Sequence, residues 1–533
     1  MQYFLINPVY DLHRDEYLHL DQAKHLAWGF ESVPPFTSWI SWIILQLGNG
    51  VFWIKFFPAL FGALTIVVVW MAIEELEGNL FSMILGGLGV TFSVIFRMNI
   101  LYQPNSFDIL CWTFLYFTFI KYIHTYHNKW LWVAAITFAI GFLNKYNIIF
   151  LLLGFLPAIL LTENRKIFRN RQFYFSIGLA ILLISPNLVW QYHNNFVVFH
   201  HLKTLSETQL VNVNRTDFLK EQSLFFFGSI FILIAAFIGF FRYAPFKKYR
   251  VFAWAFIFTL LLFVYFKAKG YYSVGLYPIL LAFGAVYLEQ KWKTGWKLYL
   301  RPVALLVIIL LFIPFFKIAF PIYGPEGTIQ SGQLLKDLGL LRWEDGKDHL
   351  LPQDYADMLG WSELAGKTDS AFESLPDKAN TLVLCDNYGQ AGAINYYSKH
   401  KDIGAVSMNA DYINWIPVNE KEIKNVILVK GVDDSDKDRL REKQFFKTVT
   451  KIGEVKNIYA REKGTAIYLL QDATTSINKI LREEINERKT LTYPFKVANT
   501  NENIALHVMA LQLLPVQIAP PLCQIQQEAM RMK

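Results

Sequence analysis

About ten runs of apolar residues, each long enough or nearly long enough to cross a bilayer, follow residue 50. Few folds are open to such a chain, because hydrocarbon offers no partner to a backbone N–H or C=O and only helices or closed barrels satisfy them internally. The runs are continuous rather than alternating, which selects helices. They are read at 53–73, 79–96, 106–120, 130–143, 147–161, 173–190, 224–241, 252–266, 272–288 and 303–320, several short enough for tilted or paired half-helices. With 54% hydrophobic and 17% aromatic residues the chain is too apolar for a soluble enzyme, and the expected class is a multi-spanning α-helical membrane protein.

Basic loops resist translocation, so Lys and Arg set the orientation. Lys121/Lys129, Arg165/Lys166/Arg169/Arg171, Arg242/Lys247/Lys248/Arg250 and Lys291/Lys293/Lys297/Arg301 fall in every second loop, which predicts one cytoplasmic side. Glu74-Glu75-Leu76-Glu77 is acidic on that side, but acids count little in this rule. The outer set contains residues 1–35, the turns 98–104, 144–145 and 267–270, the loop 192–222 and everything after about 321. Only Met1–Tyr10 precede the outer segment, too few residues to span; a first helix upstream or a tail-outward insertion is expected. The formal charge of +8 is then mostly an orientation signal. No basic stripe interleaved with aromatics marks a nucleic-acid partner. Cys111, Cys385 and Cys523 form no disulfide framework or CxxC metal motif.

Residues 17–28 place apolar side chains at helical spacing between polar ones, which predicts an interfacial helix lying flat on the outer leaflet. A second helix is expected from Pro34-Pro35 to about Leu47. Three regions follow: a membrane part over 1–320 with its outer loop at 11–52, an exported α/β domain over 321–475, and a tail over 476–533 that starts as a charged helix and continues loosely ordered. In the α/β part, strands are predicted at Thr381–Leu384, Val426–Val429 and Ala466–Leu470, and helices at Glu363–Ser374 and Asp436–Phe446.

Polar residues at one end of the spans carry the candidate chemistry, since a charge near hydrocarbon is costly and usually functional. On the outer side stand Asp15 and Glu16, Asn105 and Asp108, Lys145, His200-His201, and Lys269 with Tyr271-Tyr272. Each has a plainer reading: solvated carboxylates, a helix-capping Asp108, an interfacial Lys145, histidines that only fill a loop, an aromatic belt. Together they suit group transfer from a lipid-phosphate donor. A polyprenyl phosphate leaves as a stable anion, so one base for the acceptor hydroxyl is enough. Lysines and phenols would hold the phosphate, and a divalent metal could share that task.

The chain resembles the bacterial branch of the glycosyltransferase family 39 membrane enzymes, which includes protein O-mannosyltransferases and lipid A aminoarabinose transferases. The resemblance rests on His13-Arg14-Asp15-Glu16-Tyr17, Ala27-Trp28-Gly29-Phe30 with Pro34-Pro35, Gln103-Pro104-Asn105-Ser106-Phe107-Asp108, Gly141-Phe142-Leu143-Asn144-Lys145-Tyr146, Ser185–Gln191, Lys269-Gly270-Tyr271-Tyr272 with Tyr277-Pro278, and Asp386–Ile394. It implies a GT-C type fold and an inverting transfer, in a bacterial inner membrane, from a polyprenyl-phosphate sugar to a lipid, polysaccharide or protein acceptor. Asp15 would be the base, Glu16 its neighbour on acceptor or metal, and Asn105 and Asp108 the rest of the acidic side. Arg14, Lys145, His201, Lys269, Tyr271 and Tyr272 would bind substrate. Val33 stands where many relatives have His, and Asn105 where many have Asp, with Asp108 one turn later. A carrier or flippase for a lipid-linked sugar and an inactive membrane sensor are the alternatives; transporters tend to hold their ionisable residues at the midplane, and here they stand at one end.

Overall fold

The computed structural model describes residues 2–492. Six helices are long and apolar enough to span: Val51–Glu75, Asn105–Thr125, Arg171–His193, Ala244–Tyr265, Gly270–Lys291 and Gly295–Ala319. Two further pairs bend, Ile148–Leu160 with Glu163–Arg169 by 106° and Arg215–Phe225 with Phe227–Arg242 by 64°, and two shorter apolar helices, Leu80–Thr91 and Lys129–Asn144, complete the set. Every predicted run has its helix, with two adjustments. The run 79–96 breaks at Phe92, where the Ser93 side chain accepts from Ile95 N and caps a separate short helix, Val94–Met98. The run 224–241 is the second limb of a bent pair. The most enclosed span is Gly270–Lys291, 83% buried along its apolar window, whereas Gly295–Ala319 is only 17% buried and turns most of its surface outward.

After residue 325 lie small helices and one five-stranded sheet. Its strands are β1 (Thr381–Cys385), β2 (Val406–Ser407), β3 (Asn425–Lys430), β4 (Phe446–Glu454) and β5 (Ala466–Ala473), in the order β2-β1-β3-β5-β4. β1 runs parallel to β2 and β3, while β5 is antiparallel to both β3 and β4. The three predicted strands and the helix Trp361–Glu373 are present. The helix predicted over 436–446 is not. Asp436 accepts from Leu440 N and Arg441 N, and Asp434 holds the Arg439 guanidinium, so side-chain acceptors draw the backbone into turns instead. β4 was invisible to periodicity because it is an exposed edge strand carrying Lys447, Lys451 and Glu454. The charged helix opening the tail runs Ile477–Thr492; the rest of the tail, with Cys523, lies outside the described residues.

The loop over residues 11–52 departs most from expectation. The second helix runs Phe36–Gln46, capped at Pro35 as predicted. The first spans Arg14–Asp21, and Glu16 to Asp21 are all buried. It is not a helix flat on lipid: it lies beneath the soluble domain, against helix Tyr388–Tyr397. Tyr10, Leu12, Tyr17, Leu18 and Leu20 share one apolar core with Trp361, Leu364, Ala391, Ile394 and Tyr412. Polar bonds join the same two partners: Asn395 and Tyr412 donate to Asp21 at 2.7 and 2.8 Å, Gln22 and Glu31 N donate to Asp411 at 3.0 and 2.8 Å, and Asp11 accepts from Trp361 N at 2.9 Å. An alternating apolar and polar pattern reads alike for lipid and for a protein roof, which is why the sequence could not separate them.

The approach is close because of Gly392. A Cβ there would stand 2.6 Å from Tyr17 Cβ and 2.7 Å from the Tyr412 hydroxyl. Gly392→Ala should therefore cost about 1–3 kcal/mol by overpacking. Limited proteolysis should cut the region after residue 325 faster in the variant, with the spans still protected.

Candidate functional site

The stretch His13-Arg14-Asp15-Glu16 opens its helix with a reciprocal cap. The His13 ring accepts from Asp15 N at 3.2 Å, and Glu16 accepts from His13 N at 2.8 Å. The cap turns the two adjacent carboxylates to opposite fates.

Glu16 is fully buried and spent on structure. Its oxygens accept from Lys55 Nζ at 2.6 and 2.8 Å, from Tyr102 N at 2.6 Å and from His13 N at 2.8 Å. The expectation that Glu16 works beside Asp15 on acceptor or metal is corrected here, since every direction around it is filled.

Asp15 keeps a side chain 32% exposed. One oxygen, Oδ1, accepts from the Tyr388 hydroxyl at 2.7 Å and from Arg14 Nε at 3.3 Å; Oδ2 accepts from Gln103 Nε2 at 3.1 Å. Burial alone would raise its pKa, but the Arg14 charge and the Tyr388 hydrogen bond outweigh it and hold Asp15 well below the usual carboxylate range. It is therefore a carboxylate at any physiological pH.

From Asp15 a line of contacts leads to the cations. Gln103 Oε1 accepts from Asn105 Nδ2 at 2.9 Å, and Asn105 Oδ1 accepts from Lys145 Nζ at 2.7 Å. That ammonium lies 4.6 Å from the Tyr272 ring centre and 5.3 Å from that of Tyr271. Burial pushes the Lys145 pKa down to about 8, Asp108 opposing and Lys269 reinforcing the shift. Asp108 does not join Asp15. Its oxygens accept from Trp112 Nε1 at 2.9 Å and Asn147 Nδ2 at 3.1 Å, and Asn147 also donates to the Tyr272 carbonyl, so Asp108 braces the floor under Lys145 and Tyr272. Asn105 likewise is a bridge between Gln103 and Lys145, not part of an acidic pair. Lys269 is not a free cation either: it donates to Glu344 at 2.7 Å and Gln209 at 2.6 Å. Burial first, then the neighbouring His200 and the Lys269 charge, lower the pKa of the half-buried His201.

Sequence reasoning missed Tyr388, Gln103 and Glu344. Gln103 and Tyr388 lie within the stretches 103–108 and 386–394, where neither residue type by itself signals a partner for Asp15; Glu344 carries no local signal at all. Among the described residues, no group of three or more His, Cys, Asp or Glu side chains is arranged to hold a metal ion. Glu16 and Asp108, the carboxylates that would have joined Asp15 on a divalent ion, have their oxygens filled by protein donors, so this donor set does not fit one.

Removing one partner of a buried pair strands the other. Glu16→Gln should destabilise the protein by about 3–5 kcal/mol, read as a lower unfolding midpoint in detergent. Glu16→Gln with Lys55→Met should recover most of the loss.

The sequence profile of the dolichyl-phosphate-mannose-protein mannosyltransferase family matches residues 32–190, which includes Asn105, Asp108 and Lys145 but neither Asp15 nor Lys269. No curated protein sequence matches the chain. The fold is similar to that of ArnT from Cupriavidus metallidurans. The ArnT crystal structure bound to undecaprenyl phosphate is 12% identical with a TM-score of 0.58, over 88% of this chain and 96% of that one. The apo ArnT structure is 13% identical with a TM-score of 0.56, over 88% and 95%. The likeness to ArnT is thus one of fold over most of the chain, and the family profile matches residues 32–190.

Proposed function

We propose that this chain is a membrane glycosyltransferase that moves a sugar from a polyprenyl-phosphate carrier to an acceptor hydroxyl on the outer face of the membrane, with inversion and with Asp15 as general base. The observation that carries the proposal is the unbroken line Asp15–Gln103–Asn105–Lys145, which joins an ionised carboxylate to a cation flanked by two tyrosines. A lipid-phosphate donor agrees with the similar ArnT structure, which is bound to undecaprenyl phosphate.

In the proposed step the acceptor hydroxyl gives its proton to Asp15 as its oxygen forms a bond to the anomeric carbon. The bond from that carbon to the phosphate oxygen breaks on the opposite side, and the polyprenyl phosphate departs as an anion. Asp15 Oδ1 already accepts two hydrogen bonds and Oδ2 only one, so Oδ2 has the lone pair to spare. Lys145, over the rings of Tyr271 and Tyr272, meets the growing phosphate charge. Lys269 would join it by exchanging Glu344 for the phosphate. No general acid is required because the leaving group is stable without a proton.

Two measurements test this. Membranes carrying wild type or Asp15→Asn are given radiolabelled polyprenyl-phosphate sugars, and transfer should fall by at least about 100-fold in the variant at equal expression. Equal transfer in the variant would refute Asp15 as the base, and no transfer with any donor would favour a carrier or sensor. Donor affinity should also follow the charge of Lys145. With its pKa lowered to about 8, the ammonium is intact at pH 7 and lost as pH rises above 8. The KM for donor should then climb between pH 7 and 9 in wild type and stay level in Lys145→Arg, which remains protonated throughout.

A further inference from the structure

The soluble domain reaches into the site through one side chain. β1 ends at Cys385, and the chain turns at Asp386-Asn387 into helix Tyr388–Tyr397. Asn387 caps that helix, accepting from Gln390 N at 3.0 Å while Gln390 Oε1 accepts from Asp386 N at 3.0 Å and Asn387 N at 3.4 Å. Gln390 and Asn387 are tied in turn to Glu462, at 2.7 and 3.2 Å. The first helical residue, Tyr388, therefore leaves a rigid corner in a set direction. Gly389 lets that corner come close, since a Cβ there would run into the aliphatic stem of Arg14. Arg14 then lies between the two elements, its guanidinium 5.3 Å from the Tyr388 ring centre and its Nε on Asp15. The Tyr388 hydroxyl ends 2.7 Å from Asp15 Oδ1.

We propose that Tyr388 is a positioning residue for the base: its hydroxyl, delivered by the soluble domain, holds Asp15 Oδ1 and so aims Oδ2 at the acceptor hydroxyl. The inference rests on Asp15 being the base. Its physical content is orientation. A carboxylate on two rotatable bonds has Gln103 on one oxygen, and Arg14, itself flexible, on the other. Tyr388 is the donor whose root is locked by a capped helix, so it determines which lone pair faces outward. The soluble domain is on this account a part of the catalytic apparatus that must be docked for transfer, not a separate binding module.

The test uses the full chain in membranes, with Tyr388→Phe, Tyr388→Leu and Asp15→Asn beside wild type. Tyr388→Phe keeps the ring under Arg14 and removes only the hydroxyl. It should lower kcat about tenfold, the loss of one hydrogen bond to a charged group, and leave the donor KM and the proteolysis pattern unchanged. Combined with Asp15→Asn it should produce no further loss, because both act through the same atom. If Tyr388→Phe keeps wild-type kcat while Asp15→Asn is inactive, or if only Tyr388→Leu loses activity, Tyr388 is a packing residue and the inference falls while the base stands. If Asp15→Asn stays active, the base assignment itself is wrong, and the inference falls with it.

Discussion

One buried ion pair ties the N-terminal loop to the spans. Lys55 belongs to the first long apolar helix, and its ammonium meets Glu16 where neither side chain touches water, 3% and 0% exposed. Two charges placed there singly would each cost several kcal/mol, so either both are present or the helix Arg14–Asp21 cannot lie where it does. The same carboxylate also accepts from Tyr102 N, beside the start of the helix that carries Asn105 and Asp108. Glu16 thus brings the outer loop, one span and the beginning of another to a common point. Asp15, its neighbour, stays partly exposed beside that point.

The division of labour between adjacent acids follows from helix geometry. Successive residues at the start of a helix point about 100° apart, and here that step leaves Asp15 partly exposed while Glu16 turns into the packing. The inner one is neutralised by a lysine from the membrane side. The other is held ionised by Arg14 and by donors from two separate places, Gln103 at the start of a span and Tyr388 in the sheet domain. A site assembled from so many parts has no independent existence in any one of them.

Charge balance recurs on the cationic side. Lys145 and Lys269 lie close enough to feel each other's charge, an unfavourable arrangement unless an anion is shared between them. Protein acids compensate it in part: Asp108 below Lys145, and Glu344 directly on Lys269. The tyrosines at 271 and 272 set their rings against Lys145 without adding charge.

The spans were legible in the sequence because hydrocarbon imposes a single requirement, a continuous apolar helix, and a run of residues displays it directly. The buried strands β1, β3 and β5 were legible for a similar reason, each being a short apolar stretch between turn residues. The polar motifs told which residues stand near the outer surface, since their positions follow from the spans. What those residues touch was decided by the tertiary structure. Adjacent Asp15 and Glu16 look equivalent in a string of letters, and only packing against Lys55 separates them. The helix over Arg14–Asp21 has the pattern of a lipid-facing helix, and only the arrival of Tyr388–Tyr397 some 370 residues later makes it a buried one. Partners so distant along the chain leave no local signature, because a hydrogen bond depends on two atoms meeting in space and the sequence records one of them at a time.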